Sequence, residues 1–434
     1  MPSGAEIFAT GFKAAPFWWE AASPTDQGSA ALPAETEVAV IGSGYGGLSS
    51  ALELARRGVD VTVLEAGLFG QGASTRNGGH VSGGVNLGKG SGNAQDSATA
   101  EDIFAESVDS LAHIAGIIER ENIACHWRQT GRFVGAATRR HYEAFRAKAD
   151  LYNRHGLDAA LIPRERQREV IGSDRFFGGL AVDRAAQLHP ALYHRGLMNA
   201  AQRQGARLCA NTNVQKIERK DDGFLLTTSA GPVRARHVVA TTNGYTGKAT
   251  PWLQQRVVPI NSYIIVTDEL PEDVAEALSP QGRTLSDSKR LLNYFRLTPD
   301  RRRLLFGGRG SFSGAPAEEV ALMLYGMMLD VFPHLDGVKI THGWTGNIAF
   351  TFDGMPHFGT HEGVHYAMGC NGSGVATMTW LGHQTALKIV GGNRPSAFDG
   401  QPFPTRPLYN GRPWFLPYVG RWYQFLDKID RMRA

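Results

Sequence analysis

Gly42, Gly44 and Gly47 stand in the spacing G-x-G-x-x-G, and an acid, Glu65, follows them at the end of the next apolar run. Each glycine has a physical task. Gly42 permits a tight turn, Gly44 lets the backbone approach a pyrophosphate, and Gly47 lets a helix lie close on a strand. A helix that starts here turns unpaired N–H groups and the positive end of its dipole toward phosphate. Glu65 can accept hydrogen bonds from ribose hydroxyls and would repel the extra phosphate of NADP. The chemistry implied is capture of an adenine dinucleotide by Gly42, Gly44, Tyr45, Gly46, Gly47, Glu65 and Ala66. These residues alone leave the choice between NAD and FAD open. A second stretch, Gly72 to His80 (GASTRNGGH), joins glycines and small hydroxyl residues into backbone that a diphosphate or a ring system could approach.

The turn needs a strand before it and a helix after it. Residues 37–41 (EVAVI) form a short β-branched run, and Leu48, Ala51, Leu52 and Ala55 recur at helical spacing up to Gly58. Residues 61–64 (VTVL) make a second strand, so the unit reads as a parallel pair joined by a right-handed crossover. Residues 101–155 read as helical, with no proline between Glu101 and Ile162. An α/β pattern returns over 191–247: a helix to Gly205, a strand-like stretch over 206–214, a hairpin over 224–228 and 233–237, and a buried strand over 238–241. Strands at 257–266, 291–297 and 304–308 suggest an antiparallel sheet, interrupted by a helix over 317–331. Arg301, Arg302 and Arg303 mark a hairpin tip. A last helix, 374–390, follows a glycine-rich turn. Trp18 and Trp19 read as anchors of an extended arm.

A chain of 434 residues is long enough for about two domains. The balance of 42% hydrophobic and 20% charged residues is that of a globular protein. The net charge of +4 comes without a dense basic run interleaved with aromatics, so nucleic acid is not an expected partner. Three separated cysteines, Cys125, Cys209 and Cys370, argue against a disulfide framework and a zinc site, and favour a reducing compartment. No secretory leader and no membrane-length apolar run is read, so a cytoplasmic location is expected.

Gly72 to Gly79 (GASTRNGG), the Trp18-Trp19-Glu20-Ala21-Ala22 arm, Arg236 to Thr246, Trp344 to Asn347, Thr351 to Pro356 and Gly369 to Val375 together resemble the D-amino acid oxidase superfamily of flavoproteins. The likeness runs from about residue 16 to residue 405 and points to a bacterial branch of amine- and imino-acid-oxidising enzymes. It implies an α/β fold: a Rossmann-like FAD-binding domain from 36–90, 170–250 and 345–405. A second, α+β substrate domain on an antiparallel sheet would come from 91–169 and 251–344, with an arm (1–35) and a tail (406–434). FAD contacts are implied at Gly72, Ala73, Ser74, Arg76, Asn77, Gly78, Gly79 and His80. Further contacts are implied at Val214, Thr241 and Asn243 under the adenosine, and at Trp344, Gly346 and Asp353. Asn371, Gly372, Ser373, Gly374 and Val375 would meet the pyrimidine end of the flavin, where N–H groups and a helix dipole stabilise charge on reduction. The family often has His where this chain has Ser373. With no Cys in 343–352 and Asn77 where a linking His is found in some relatives, non-covalent FAD is expected.

The reaction implied is oxidation of a C–N bond by hydride transfer, giving an imine that water hydrolyses. The protein orients the substrate, so no Ser-His-Asp triad is expected. Candidate residues over the ring are His80, Tyr294, Arg296, Trp344 and Asn347. Tyr294 and Arg296 share one strand face, and Arg296 is a candidate partner for a substrate carboxylate. Asp353 reads more as a turn former than as a base. Substrates suggested are γ-glutamylputrescine, a cyclic imino acid such as pipecolate, or an N-alkyl amino acid. The resemblance aligns Leu305 with a lysine that many sarcosine-oxidising relatives use toward oxygen, so a quinone-type acceptor stands beside O2. Two other readings are weighed: an NAD(P)H-linked flavin hydroxylase, whose Gly-Asp block before the last helix is not seen, and a non-catalytic flavin-binding subunit.

Overall fold

Two sheets organise the chain in a computed structural model that describes residues 7–84, 97–309, 316–392 and 395–432. The first has eight strands. Its parallel part places Arg207–Cys209, Val61–Leu64, Glu35–Ile41 and Gly231–Ala240 side by side, and Val364–Met368 continues it in parallel beside Val238 to Ala240. Val38, Ala39, Val40, Val61 and Val63 are wholly buried, as strands covered on both faces must be. On one face Val38, Val40, Val61 and Val63 share a core with helices Tyr45–Arg56, Pro190–Arg203 and Gly374–Ile389. On the other, Ala39, Ile41 and Leu64 pack with Leu226 and Val233 of the Gly223–Ala240 hairpin.

Glycines set how closely these helices lie. A Cβ on Gly47 would stand 1.9 Å from the carbonyl oxygen of Gly42, and one on Gly382 would stand 2.1 Å from that of Gly46. The two helices so apposed are pinned by hydroxyls: Ser49 Oγ donates to Thr379 O at 2.6 Å and Ser50 Oγ to Gly382 O at 2.7 Å. The result is that the N-termini of Tyr45–Arg56 and Gly374–Ile389 are held beside one another.

The second sheet has nine strands, in the spatial order Phe8–Lys13, Ile340–Thr351, Val257–Thr267, Leu304–Gly308, Tyr294–Leu297, Thr284–Asp287, Arg132–Gly135, Gly179–Val182 and Ala159–Ile162. Cross-strand neighbours Ala181, Phe133, Leu285, Phe295, Phe306 and Ile265 form an apolar row on one face. That row packs on Val320, Leu324 and Met328 of helix Ala317–Val331. By the alternation of a strand, Arg132, Ser286 and Tyr294 turn to the opposite face. Arg301 to Arg303 lie in the turn between Tyr294–Leu297 and Leu304–Gly308.

The structure departs from the sequence reading in several places. Residues 101–155 are two helices, Ser97–Arg120 and Arg139–Arg154, with the strand Arg132–Gly135 between them. Gly131, at φ +73°, turns the chain into that strand, which finds partners on both edges, so tertiary pairing overrides the helical periodicity. The arm supplies a strand, Phe8–Lys13, parallel to the start of Ile340–Thr351. Gly179–Val182, assigned to the Rossmann-like unit, pairs in the second sheet, and Ile340–Thr351 runs through the boundary placed at 345. The tail carries a helix, Leu416–Met432. Among the described residues no helix is long and apolar enough to cross a membrane.

Gly382→Val will force the two helices apart and lower the thermal midpoint by an amount matching ~3 kcal/mol or more. Gly326→Ala, exposed on a helix with nothing within 4 Å of its added Cβ, will raise it by ~0.5–1 kcal/mol. Paired melting curves check both signs.

Candidate functional site

A cavity of about 1220 Å³ takes its walls from both sheets. One end is built on the first glycine turn. Gly42 has φ +99°, and its N–H bonds Leu64 O at 2.9 Å, which folds the turn back over the second strand. Ser43 N (2.9 Å) and Oγ (2.6 Å) both donate to Glu65 Oε2, while Gly67 N reaches Oε1 at 3.2 Å. The carboxylate is thereby fixed at the cavity wall with acceptor capacity remaining on Oε1. The helix starts at Tyr45, with Gly44 as a cap that has no side chain to satisfy the end. Tyr45 N bonds Ser74 Oγ at 3.0 Å, which draws the second glycine segment onto the first.

That second segment, 72–80, is held by side chains that donate to it from elsewhere. Trp18 Nε1 donates to Asn77 O at 2.8 Å, Trp19 Nε1 to Thr75 Oγ1 at 2.9 Å and Trp344 Nε1 to Arg76 O at 2.8 Å. Arg296 Nη1 donates to Leu188 O at 2.9 Å and Gly79 O at 3.2 Å. Arg76 lies over the Trp19 ring, 4.5 Å from its centroid, and donates to Thr345 O at 3.0 Å. Inside the segment the Asn77 amide is spent on Ser74 O and Gly79 N, both at 2.9 Å. Gly79, at φ +70°, allows the closure: a Cβ there would stand 2.3 Å from Leu188 O.

Most residues singled out from the sequence line the cavity. Gly42, Gly44, Tyr45, Gly46, Glu65, Ala66, Gly72, Ala73, Ser74, Arg76, Asn77, Gly78, His80, Val214, Thr241, Asn243, Gly346, Asn347, Gly372, Ser373, Gly374, Val375 and Tyr294 all do. Six do not. Gly47 and Gly79 serve close backbone approach. Trp344 and Arg296, 2% and 1% exposed, point into the protein and hold segment 72–80 by its carbonyls. Arg296 shares a face with Tyr294 as expected, but backbone covers it, and burial lowers its pKa to about 9. It is a brace, where the sequence reading made it a partner for a substrate carboxylate. Asp353 caps a turn at Met355 N (3.2 Å) and meets His357 Nε2 at 3.0 Å. Asn371 ties its loop to the second sheet, accepting from Thr351 N at 3.0 Å. Leu305, wholly buried with Trp18 and Trp344, is also off the cavity.

The far end lies under the second sheet. His80 meets Tyr294 edge to face, with centroids 5.7 Å apart, and Tyr294 Oη is 3.0 Å from Ser262 Oγ. Tyr294 lies across Gly307, where a Cβ would be 2.3 Å from its ring. Burial first, then the Arg296 and Arg132 charges, lower the His80 pKa to about 3, and its Nε2 is buried with no protein partner. Burial pushes the Tyr294 phenol up to about 12. Arg132, Lys148, Asp287 and Lys289 also line this end. None belongs to a motif, and no sequence signal marked them; the pairing of Arg132–Gly135 with Thr284–Asp287 brings Arg132 and Asp287 to this end, and Lys148 comes from helix Arg139–Arg154.

The donors present fit a flavin dinucleotide: two glycine-lined helix N-termini, an acid at a strand end, and one cavity that continues past the dinucleotide cradle. This is the architecture of a flavin-dependent oxidoreductase. The chain belongs to the family described as FAD dependent oxidoreductase (DAO), matching it over residues 37–387. It is 33% identical over 415 residues to γ-glutamylputrescine oxidoreductase of Escherichia coli, covering 91% of this chain and 93% of that one. It is 32% identical over 403 residues to a probable oxidoreductase OrdL of Haemophilus influenzae, covering 90% and 92%. In fold it is similar to glycine oxidase from Geobacillus kaustophilus, with a TM-score of 0.71 at 21% identity, covering 86% of this chain and 99% of that one. L-Proline dehydrogenase from P. horikoshii gives 0.69 at 21%, covering 84% and 96%. The cofactor of this enzyme is therefore FAD.

Trp344→Phe leaves the Arg76 carbonyl without its donor and will lower stability by ~1–3 kcal/mol in denaturant titrations. Stability will also fall with acid. Burial holds His80 and His113 near 3 and His189 near 4, while unfolded histidines titrate near ~6.5. The unfolded chain takes up protons first, so stability is full above ~6.5 and declines as pH drops toward the folded values. Melting midpoints across that range check the slope.

Proposed function

We propose that the chain oxidises a carbon–nitrogen bond in a small amine or amino acid, with the substrate held beneath His80, Tyr294 and Ser262. The observation that supports this best is the continuity of the cavity. Walls suited to a dinucleotide pass directly into walls supplied by the second sheet. FAD, when bound, accepts the hydride leaving the substrate carbon.

The chain's own part is positioning, control of protonation and exclusion of water. His80 stays neutral at working pH, so it can exchange a hydrogen bond with an amine without placing a cation beside it. Tyr294 keeps its proton and is oriented by Ser262 and by the space over Gly307. Asn347 and Gly346 complete the wall. The Gly374–Ile389 helix turns its N-terminal N–H groups to the cavity, where they would stabilise an anion, with the Ser373 hydroxyl beside them.

Non-covalent attachment of FAD is part of the reading. The Asn77 amide is committed to the loop, and Cys370, the cysteine that lines the cavity, is buried. Relatives named for γ-glutamylputrescine and, in fold, for glycine and L-proline support a primary amine of the γ-glutamylputrescine kind or a secondary or cyclic amino acid. O2 or a quinone-type acceptor would reoxidise the enzyme, and a cytoplasmic location is the reading retained.

In an anaerobic screen, an amine or amino acid of these classes will bleach the flavin band, and NADH will not. Bleaching by NADH with none by any amine would overturn the reading. His80→Gln will slow the bleaching step by ~tenfold or more. It will leave the shape of the pH profile between about pH 5 and 9 unchanged, because the native imidazole does not titrate there.

A further inference from the structure

The tail helix, Leu416–Met432, presents one face to solvent that is rich in aromatic rings. Trp414 precedes the helix, and Tyr418, Trp422 and Phe425 follow on it at helical spacing; each of the four is more than half exposed. The Trp422 and Phe425 rings have centroids 5.7 Å apart, so the stripe is continuous there. Single exposed apolar side chains are ordinary, but a continuous stripe of them marks a surface that meets an apolar medium or a partner. Exposed Arg421 and Lys428 run along one flank of the stripe. The sequence has no acid between Asp399 and Asp427, while Arg406, Arg412 and Arg421 fall inside that interval. Both acids of the helix, Asp427 and Asp430, are spent on Arg290; Asp427 Oδ1 lies 3.2 Å from Arg290 Nη1, and its Oδ2 accepts from Leu291 N at 3.2 Å. Leu416 is buried in a core with Val258 and Ile260. The helix is therefore fixed by one face and carries aromatic rings and cations on the other.

Trp and Tyr join an apolar body to a polar tip, which suits the boundary between water and hydrocarbon, and cations beside them suit anionic headgroups. We infer that this face docks on an anionic phospholipid bilayer, with the helix lying in the interface and not crossing it. The charge distribution favours lipid over a second copy of the chain. Pairing the face with itself about a two-fold axis would set Arg421 and Lys428 of both copies at one interface, where the only acids of the helix are already held by Arg290. A layer of anionic headgroups meets all of these cations. Docking of this kind is independent of the C–N oxidation reading, yet it touches the surroundings of the site. Asp427 accepts from the backbone of Arg290 and Leu291, and the adjoining Asp287, Ser288, Lys289 and Leu292 line the cavity. The bilayer would then lie one helix thickness, ~10 Å, from that segment.

The test uses the FAD-loaded full chain and vesicles of phosphatidylcholine, alone or mixed with phosphatidylglycerol at about 2:1. The wild type will cosediment with the mixed vesicles with ~tenfold or more higher affinity than with phosphatidylcholine alone, and added salt will weaken that binding. Trp422→Ser combined with Phe425→Ser will lower the affinity for mixed vesicles by ~tenfold or more. Arg421→Glu combined with Lys428→Glu will remove the preference for the anionic lipid. All four side chains are exposed and lie off the cavity, so flavin content and melting curves will match the wild type; where one pair fails to fold, the other decides. Wild-type protein left in the supernatant with both kinds of vesicle would overturn the inference, as would binding that neither pair of substitutions weakens. So would a dimer in light scattering that Trp422→Ser with Phe425→Ser turns into a monomer, since the face would then be a contact between copies.

Discussion

The structure depends on backbone segment 72–80 being held shut by donors that come from three other parts of the chain. A run of glycines and small residues has few side chains of its own to fix it, and ordering its backbone costs about 1–2 kcal/mol per residue. Trp18, Trp19, Trp344 and Arg296 supply that order, each with an N–H aimed at a carbonyl or hydroxyl of the segment. The burial of Trp18, Trp344 and Arg296 excludes water from their bonds, so each of these is expensive to break. The segment is then free to present its other face to the cavity, with Ser74 bridging to the first turn at Tyr45.

From this one constraint the rest of the site follows. Closing the segment brings the two sheets into contact, because Trp344 and Arg296 belong to the second sheet while Ser74 binds the helix that follows the first. Their junction is the cavity. The polar face of the second sheet becomes its roof, while the apolar row from Ala181 to Ile265 stays packed on helix Ala317–Val331. Electrostatics then divides the cavity: the end with the two helix N-termini and Glu65 is suited to phosphate and ribose, the middle is neutral, and the far end is cationic.

What the sequence made legible, and what it did not, has a physical reason. The Gly42–Glu65 unit is local: turn, helix and strand are neighbours in the chain, and each glycine reports a contact made within a few residues. The last helix and its glycine-rich entry were readable for the same cause, as were Trp18 and Trp19 as anchors. Arg296 was placed on the right strand and Trp344 where the chain re-enters the flavin domain, yet the direction of each depends on what covers it, and Gly79 and Leu188 come from far away in sequence. Arg132, Lys148 and Asp287 lie on unmarked elements, one of them a strand inside a stretch with helical periodicity. Their convergence comes from sheet order, which sets Arg132 beside Thr284–Asp287, and from the packing of helix Arg139–Arg154, which carries Lys148. The boundary between the two units was misplaced around 179–182 because a short apolar strand does not declare which sheet it joins.

The central claim is that two glycine-lined turns, brought together by this clamp, bind one flavin nucleotide without a covalent bond. The most direct measurement is the flavin content of the purified, folded protein before and after denaturation. The account predicts yellow protein carrying one FAD per chain, with the whole of the colour passing into the supernatant when the chain is precipitated by acid. Folded protein that is colourless and takes up no added FAD, or colour that stays with the precipitate, would contradict it.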